Sequence, residues 1–198
     1  MAVDDDPTDL FYASNSAAYA AHSREPNHTR LERFVARLRE NARVMELGCG
    51  NGRDSAWMIG RGLDVIPTDG TREMAEEAAR RLGVDVPVLR FADIEAVGTF
   101  DGIWANACLL HVPRPELAGI LVRIHRALRP GGIFYASYKA GNGDGRDGLG
   151  RYYNYPSAEE LEATYATLPW ASLEISGETG SGYDRQSTEW LHVWGMAK

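Results

Sequence analysis

Apolar residues recur at intervals of three and four over residues 10–21 and again over 29–39, where Leu31, Phe34, Val35 and Leu38 share one face and Arg and Glu fill the other. That period predicts two amphipathic helices. The texture then changes to short apolar runs at residues 43–47, 63–67, 86–89, 102–106 and 133–138, which alternate with helical stretches at 54–61, 72–82 and 115–128. Short apolar runs separated by helices predict strands of a parallel sheet with helices on both faces. Residues 141–150 break the alternation: five glycines among polar residues predict a mobile loop. A helix over 157–168 follows, with Ser157 as its N-cap and Glu160 completing a capping box. Residues 171–175 and 188–196 then read as two strands with no helix between them, which predicts an antiparallel hairpin.

With 198 residues, 44% of them apolar and 25% charged, the chain has the composition of one globular domain. The pattern divides it into an N-terminal helical cap (1–40), a central core (41–138), and a glycine-rich lid, helix and C-terminal hairpin (139–198). Twenty-one Lys and Arg against 28 Asp and Glu give a net charge of −7 without any long basic run, which disfavours a nucleic-acid partner. The first ten residues are acidic and no stretch has the length of a membrane span, so a cytoplasmic protein without a membrane partner is expected. Cys49 and Cys108 lack paired spacing and read as small buried thiols, and the glycine loop lacks the alternate oxygen ligands of a calcium loop. No metal site is expected.

The sharpest chemical signal is Glu46-Leu47-Gly48-Cys49-Gly50-Asn51-Gly52, set between a strand and a helix. Glycines there let a ligand approach the backbone, and the helix that follows presents free amides. A dinucleotide fingerprint requires its third glycine where Arg53 stands, which weakens a nicotinamide reading. Asp69, 21 residues after Gly48 at the end of the next strand, is placed to accept both hydroxyls of a ribose. Together these features fit a nucleoside ligand without a pyrophosphate.

VMELGCGNGRD, the strand end at Asp69, FADIE around Asp93, FDGIWANACLLH around Asp101 and LRPGGIFYAS resemble, in order and spacing, the motifs of class I S-adenosylmethionine-dependent methyltransferases. The resemblance runs from about Val44 to Tyr138, and the glycine turn is most similar to the small-molecule and tellurite-resistance-type members. It implies a Rossmann-like three-layer sandwich: a seven-stranded, mostly parallel sheet with the last strand antiparallel and helices on both faces. It also implies S-adenosyl-L-methionine as cofactor and S-adenosyl-L-homocysteine as product. By the same resemblance Gly48, Gly50 and Gly52 face the methionine part, Glu46 orders their loop, Asp69 holds the ribose, and Asp93 with Ile94 flanks the adenine.

Methyl transfer is an in-line displacement, so the protein chiefly aligns the acceptor and excludes water. Acceptor contacts are expected where ligands of parallel sheets collect, at the strand ends on the cofactor side. Asn106, which also borders the cofactor, and His111 follow one such strand, and they are the candidate catalytic residues; an imidazole, largely neutral at pH 7, can serve as base. Lys139, Arg146, Arg151, Tyr152 and Arg185 are the candidate acceptor-binding residues. Their cations point to a small anionic molecule under a closing lid, unless Asp147 and Asp184 pair with the arginines and lock the lid instead. Tyr12 and Tyr19 are candidates to cover the cofactor, or else Leu10, Phe11 and Tyr19 only form the apolar face of the first helix. Trp190, Val193 and Trp194 read as core, and the arginines of the second helix as a solvated strip. The expected function is methyl transfer to a small molecule by a monomer or homodimer. The competing readings are a tRNA carboxymethyluridine-type methyltransferase, from the tail GYDRQSTEWLHV, and a non-catalytic cofactor-binding protein.

Overall fold

The computed structural model describes residues 6–22, 25–183 and 186–198. The first helix, α1 (Pro7–Ala21), starts where Asp6 accepts the Thr8 amide at 2.6 Å and Pro7 supplies a preset first turn. The second, α2 (His28–Val35), is capped by Asn27 and buries Leu31 and Phe34. The core then alternates: β1 (Arg43–Leu47), α3 (Arg53–Ile59), β2 (Asp64–Thr68), α4 (Arg72–Leu82), β3 (Phe100–Ala105), α5 (Arg114–Ala127) and β4 (Leu128–Lys139). A short ribbon, β5 (Gly145–Arg146) with β6 (Tyr152–Tyr153), precedes α6 (Ala158–Tyr165), β7 (Trp170–Ser181) and β8 (Ser187–Ala197).

The main sheet has the order β2-β1-β3-β4-β8-β7. Strands β1 to β4 pair in parallel, and β8 runs antiparallel to both β4 and β7. Side chains alternate between its two faces. Ile103, Phe134, Ala136 and Val193 join the larger core with Leu117, Leu121 and Ile124 of α5, while Trp104, Tyr135 and Trp194 join Leu31 and Phe34 of α2 and Met58 of α3. Burying both faces is what reading the strands as apolar throughout requires, and the layered architecture with a trailing antiparallel strand is as expected.

The sheet holds six strands where seven were expected. The missing one, at residues 86–89, makes a single parallel bridge between Val88 and Asp69. Pro87 has no amide to donate, and beyond it Leu89 donates to Asp69 O at 2.8 Å, so the ladder ends after one rung. The glycine-rich segment also departs from the expected irregular loop. Its glycines give way to the β5–β6 ribbon, in which Gly145 faces Tyr153 and Arg146 faces Tyr152. The basic strip of α2 is tied down as well: Arg30 meets Glu178 and Arg33 meets Glu174, both at 2.6 Å, and the Arg33 guanidinium lies 4.3 Å from the Trp194 ring.

Candidate functional site

The turn after β1 is set by backbone geometry. Gly48 has φ +59°, and a Cβ there would lie 2.5 Å from Cys108 Cβ, so only glycine lets the turn pass the segment after β3. At Gly50, φ +57°, a Cβ would meet only Met74 Cε and Tyr19 Cε1, each at 3.9 Å, so the backbone there is approachable. Gly52 is the N-cap of α3, also left-handed. Glu46, buried at the end of β1, accepts a short hydrogen bond from Ser55 in the first turn of α3, and thereby ties strand to helix beneath the turn. Burial, with Asp54 nearby, pushes its carboxyl well above the usual range.

Asp69 stands beside this turn. One carboxylate oxygen accepts the Gly50 amide and the other the Thr71 amide, both at 2.9 Å. Burial pushes its pKa up to about 6 against the lowering pull of those amides. A carboxylate oxygen has a second lone pair, so each retains capacity for a hydroxyl donor. Asp93, exposed, ends a single helical turn before the buried Ile94, whose side chain belongs to the core and whose carbonyl accepts from Arg123 and Arg126.

Asn106 sits between two partners: its amide donates to Asp54 at 3.0 Å and its carbonyl accepts from Ser137 at 2.9 Å. Asp54 also takes the Trp104 indole N–H at 3.0 Å. These bonds fix the end of β3 against α3. His111 lies a turn beyond, with Nδ1 2.6 Å from the Tyr152 carbonyl and Nε2 3.0 Å from the Tyr12 hydroxyl. A carbonyl only accepts, so Nδ1 carries the proton. Burial lowers the pKa to about 4, which keeps the ring neutral and makes Nε2 the acceptor of the Tyr12 hydroxyl.

The expected acceptor-binding cations separate. Arg151 is 1% exposed, bonded through Nε and Nη2 to Asp147 at 3.0 and 2.7 Å. Its guanidinium lies 4.9 to 5.9 Å from the rings of Phe11, Tyr12, Tyr153 and Tyr183. Asp147 therefore pairs with Arg151, as one of the expected alternatives had it. Lys139, also buried, sits 4.7 Å from the Tyr153 ring. Arg146 stays at the rim, bonded to the Gly150 carbonyl and 3.6 Å from Asp6. Tyr152 donates its amide to Thr8 Oγ1 at 2.9 Å, which joins the ribbon to α1, and its hydroxyl to Asp144 just before β5. Arg185 and Asp184 lie outside the described residues.

The aromatic residues of α1 thus roof the turn. Tyr19 stacks on Tyr183 at 5.0 Å and meets Tyr12 edge-on at 5.3 Å, and the Asn51 amide donates to Ala20 O at 3.1 Å. Reading residues 10–21 as an amphipathic helix turned Phe11 and Tyr19 inward as expected, but Leu10 is exposed, and the long-range partners in the ribbon were not in that reading. The arginine cage in particular was hidden, because it assembles from residues 11, 12, 151, 153 and 183. Among the described residues, no group of three His, Cys, Asp or Glu is arranged to hold a metal ion, and no helix is long and apolar enough to cross a membrane.

A family model described as a methyltransferase domain matches residues 44–132. The malonyl-[acyl-carrier protein] O-methyltransferase of Enterobacter lignolyticus is 34% identical over 117 residues, 54% of this chain and 45% of that protein. The trans-aconitate 2-methyltransferase of Variovorax paradoxus is 31% identical over 168 residues, 79% of this chain and 58% of that protein. The chain spans about half the length of the curated relatives it matches. Among solved structures, the Burkholderia thailandensis 1,6-didemethyltoxoflavin-N1-methyltransferase, bound to its substrate and S-adenosylhomocysteine, shares the fold at a TM-score of 0.73 and 22% identity, covering 97% of this chain and 88% of that one. The Haemonchus contortus phosphoethanolamine N-methyltransferase 2 does so at a TM-score of 0.79 and 17% identity, covering 100% of this chain and 60% of that one. These relatives do not single out the tellurite-resistance-type subgroup.

Proposed function

The chain belongs to the class I S-adenosylmethionine-dependent methyltransferases, and from that premise we propose that it methylates a small anionic molecule bound beneath α1 and the β5–β6 ribbon. The observation that supports this reading is the contact between the Asp69 carboxylate and the Gly50 amide, which sets a buried carboxylate beside the glycine turn. The residues present fit the cofactor. Gly48, Gly50 and Gly52 line its methionine part, Glu46 holds their turn against α3, Asp69 takes the ribose hydroxyls, and Asp93 with Ile94 borders the adenine. Asn106 closes the site from the end of β3. When bound, the cofactor supplies an electrophilic methyl group on a sulfonium.

The chain's own residues then orient the acceptor and exclude water. The interior position of two cations, Lys139 and Arg151, supports an anionic acceptor, as does the naming of two relatives for malonyl and trans-aconitate substrates. Arg151 reaches an acceptor only by sharing or releasing Asp147, so Lys139 and the Tyr152 segment make the first contact and Arg146 guards the rim. Isothermal titration with S-adenosylmethionine, S-adenosylhomocysteine and NAD tests the reading. Binding of the first two without the third is expected, and binding of NAD alone overturns it.

A further inference from the structure

β3 and β4 last pair at Ala105 and Ala136, and one residue further on a side chain takes over from the ladder. The buried Ser137 hydroxyl accepts the Ala107 amide at 2.8 Å and donates to Asn106 Oδ1 at 2.9 Å. The direction of these bonds is fixed from the far end. Asp54 Oδ2 accepts the Trp104 indole N–H and the Asn106 Nδ2 amide, both at 3.0 Å, which leaves the Asn106 oxygen facing Ser137. One hydroxyl therefore holds both the side chain of residue 106 and the backbone of residue 107. What it holds is strained: Ala107 has φ +55°, a left-handed conformation that an alanine side chain does nothing to support. That turn carries Cys108 against Gly48, where an added Cβ would lie 2.5 Å from Cys108 Cβ, so residues 106–108 form a wall facing the glycine turn.

We propose that Ser137 is a positioning residue for the amino-acid end of the cofactor. The proposal rests on the methyltransferase reading above, in which the glycine turn lines the methionine part. By keeping Ala107 left-handed, the hydroxyl sets the width of the slot between residues 106–108 and the glycine turn. Asp54 anchors the same brace to the first turn of α3, so the slot is defined jointly by α3, β3 and β4. Asp69 is held by the Gly50 and Thr71 amides, contacts that do not pass through Ser137. The two ends of the cofactor are thus positioned by separate devices. Loss of the Ser137 hydroxyl weakens ligands that carry the amino-acid group and spares those that lack it.

Calorimetric titration of the full chain with S-adenosylhomocysteine and with 5′-methylthioadenosine, which has the adenosine and the thioether but no amino-acid group, reads this role apart from folding. Ser137→Ala should weaken S-adenosylhomocysteine about tenfold and 5′-methylthioadenosine hardly at all. Adding Ala107→Gly, which takes the left-handed conformation without strain, should restore most of the lost affinity. Equal affinities in wild type and Ser137→Ala, an equal loss for both ligands, or no rescue by Ala107→Gly overturns the proposal. Where Ser137→Ala does not fold, the wild type alone decides. Amide exchange at Ala107 should slow about tenfold with S-adenosylhomocysteine and stay unchanged with 5′-methylthioadenosine, and equal effects of the two overturn the proposal. Failure of the wild type to bind S-adenosylhomocysteine would instead overturn the methyltransferase reading itself, so the two failures are distinguishable.

Discussion

Asp69 and Gly50 meet at 2.9 Å, carboxylate to amide, across the gap between the ends of β2 and β1. The contact ties the end of β2 to the glycine turn. With its pKa near 6, Asp69 is ionised at pH 7 and gains a proton as pH falls through that value. A protonated carboxyl is the weaker acceptor of ribose hydroxyls, so affinity for S-adenosylhomocysteine should fall as pH drops from 7 to 5. Asp69→Asn should lose about 1.5 to 3 kcal/mol of binding at pH 7 and show little of that pH dependence. Calorimetric titration of both proteins between pH 5 and 8 checks this, and matching affinities for the two would remove Asp69 from the cofactor site.

Arg151 joins α1, the ribbon and Tyr183 through one guanidinium, with Asp147 as its counter-charge. Burial raises the Asp147 carboxyl, but the bonds and charge of Arg151 hold it below the usual range. Arg151→Met keeps an apolar stem among the rings and leaves Asp147 without its cation. Loss of one partner from a fully buried pair costs about 3 to 5 kcal/mol; the cost is smaller here, because Asp147 is only partly buried, and should appear first as loosening of α1 from the ribbon. Amide exchange over residues 7–21 should accelerate more than exchange in β1 and β3. Unchanged exchange in α1 would show that Arg151 does not hold it.

Most of the sheet was legible in the sequence because each buried strand is a local apolar run, as at Val44, Met45 and Leu47 or Ile103 and Trp104. Elements held by distant partners were not. The stretch Arg129-Pro130-Gly131-Gly132 looks like a loop, yet β4 already begins at Leu128, and its register against β3 shifts between Phe100 and Gly102 to absorb the extra residues. The Asp147–Arg151 pair was one of the alternatives the sequence offered, whereas Thr8 reaches Tyr152 across 144 residues, a contact that no local pattern announces. In the site, the glycine turn and Asp69 were readable from spacing alone. The contact between Tyr12 and His111 was not, since the two lie 99 residues apart.

The capping box of α6 was readable and carries its own prediction. Ser157 Oγ accepts the Glu160 amide at 3.2 Å, and Glu160 returns a bond from the Ser157 amide at 2.8 Å while pairing with Arg114 of α5. Ser157→Ala should destabilise the fold by about 1 kcal/mol, measured by urea unfolding, and leave S-adenosylhomocysteine binding unchanged. A larger loss, or weakened binding, would mean that α6 supports the site more directly than its position against α5 suggests.

Acid sensitivity should centre on buried histidines. His192, 4% exposed within β8, shares a hydrogen bond with the Tyr135 hydroxyl at 3.0 Å, and its Nε2 has no hydrogen-bond partner among the described residues. Burial, helped by the charge of Arg30 and opposed by Glu178, lowers its pKa to about 4. The unfolded chain binds that proton near pH 6.5, so between pH 6.5 and 4 the unfolded state holds a proton that the folded state does not. Stability from this group is complete above pH 6.5 and is lost as pH falls toward 4, by about 2 to 3 kcal/mol across the window. Asp69 acts in the opposite direction: with its pKa raised to about 6, the folded state binds the extra proton between pH 4 and 6, and its share of stability falls as pH rises. Total stability therefore mixes the two signs, and a difference between variants separates them. Urea unfolding of wild type and His192→Gln at pH 7 and pH 5 should give a smaller loss on acidification in the variant, whatever the offset at pH 7. Parallel losses would show that His192 carries no part of the acid limb.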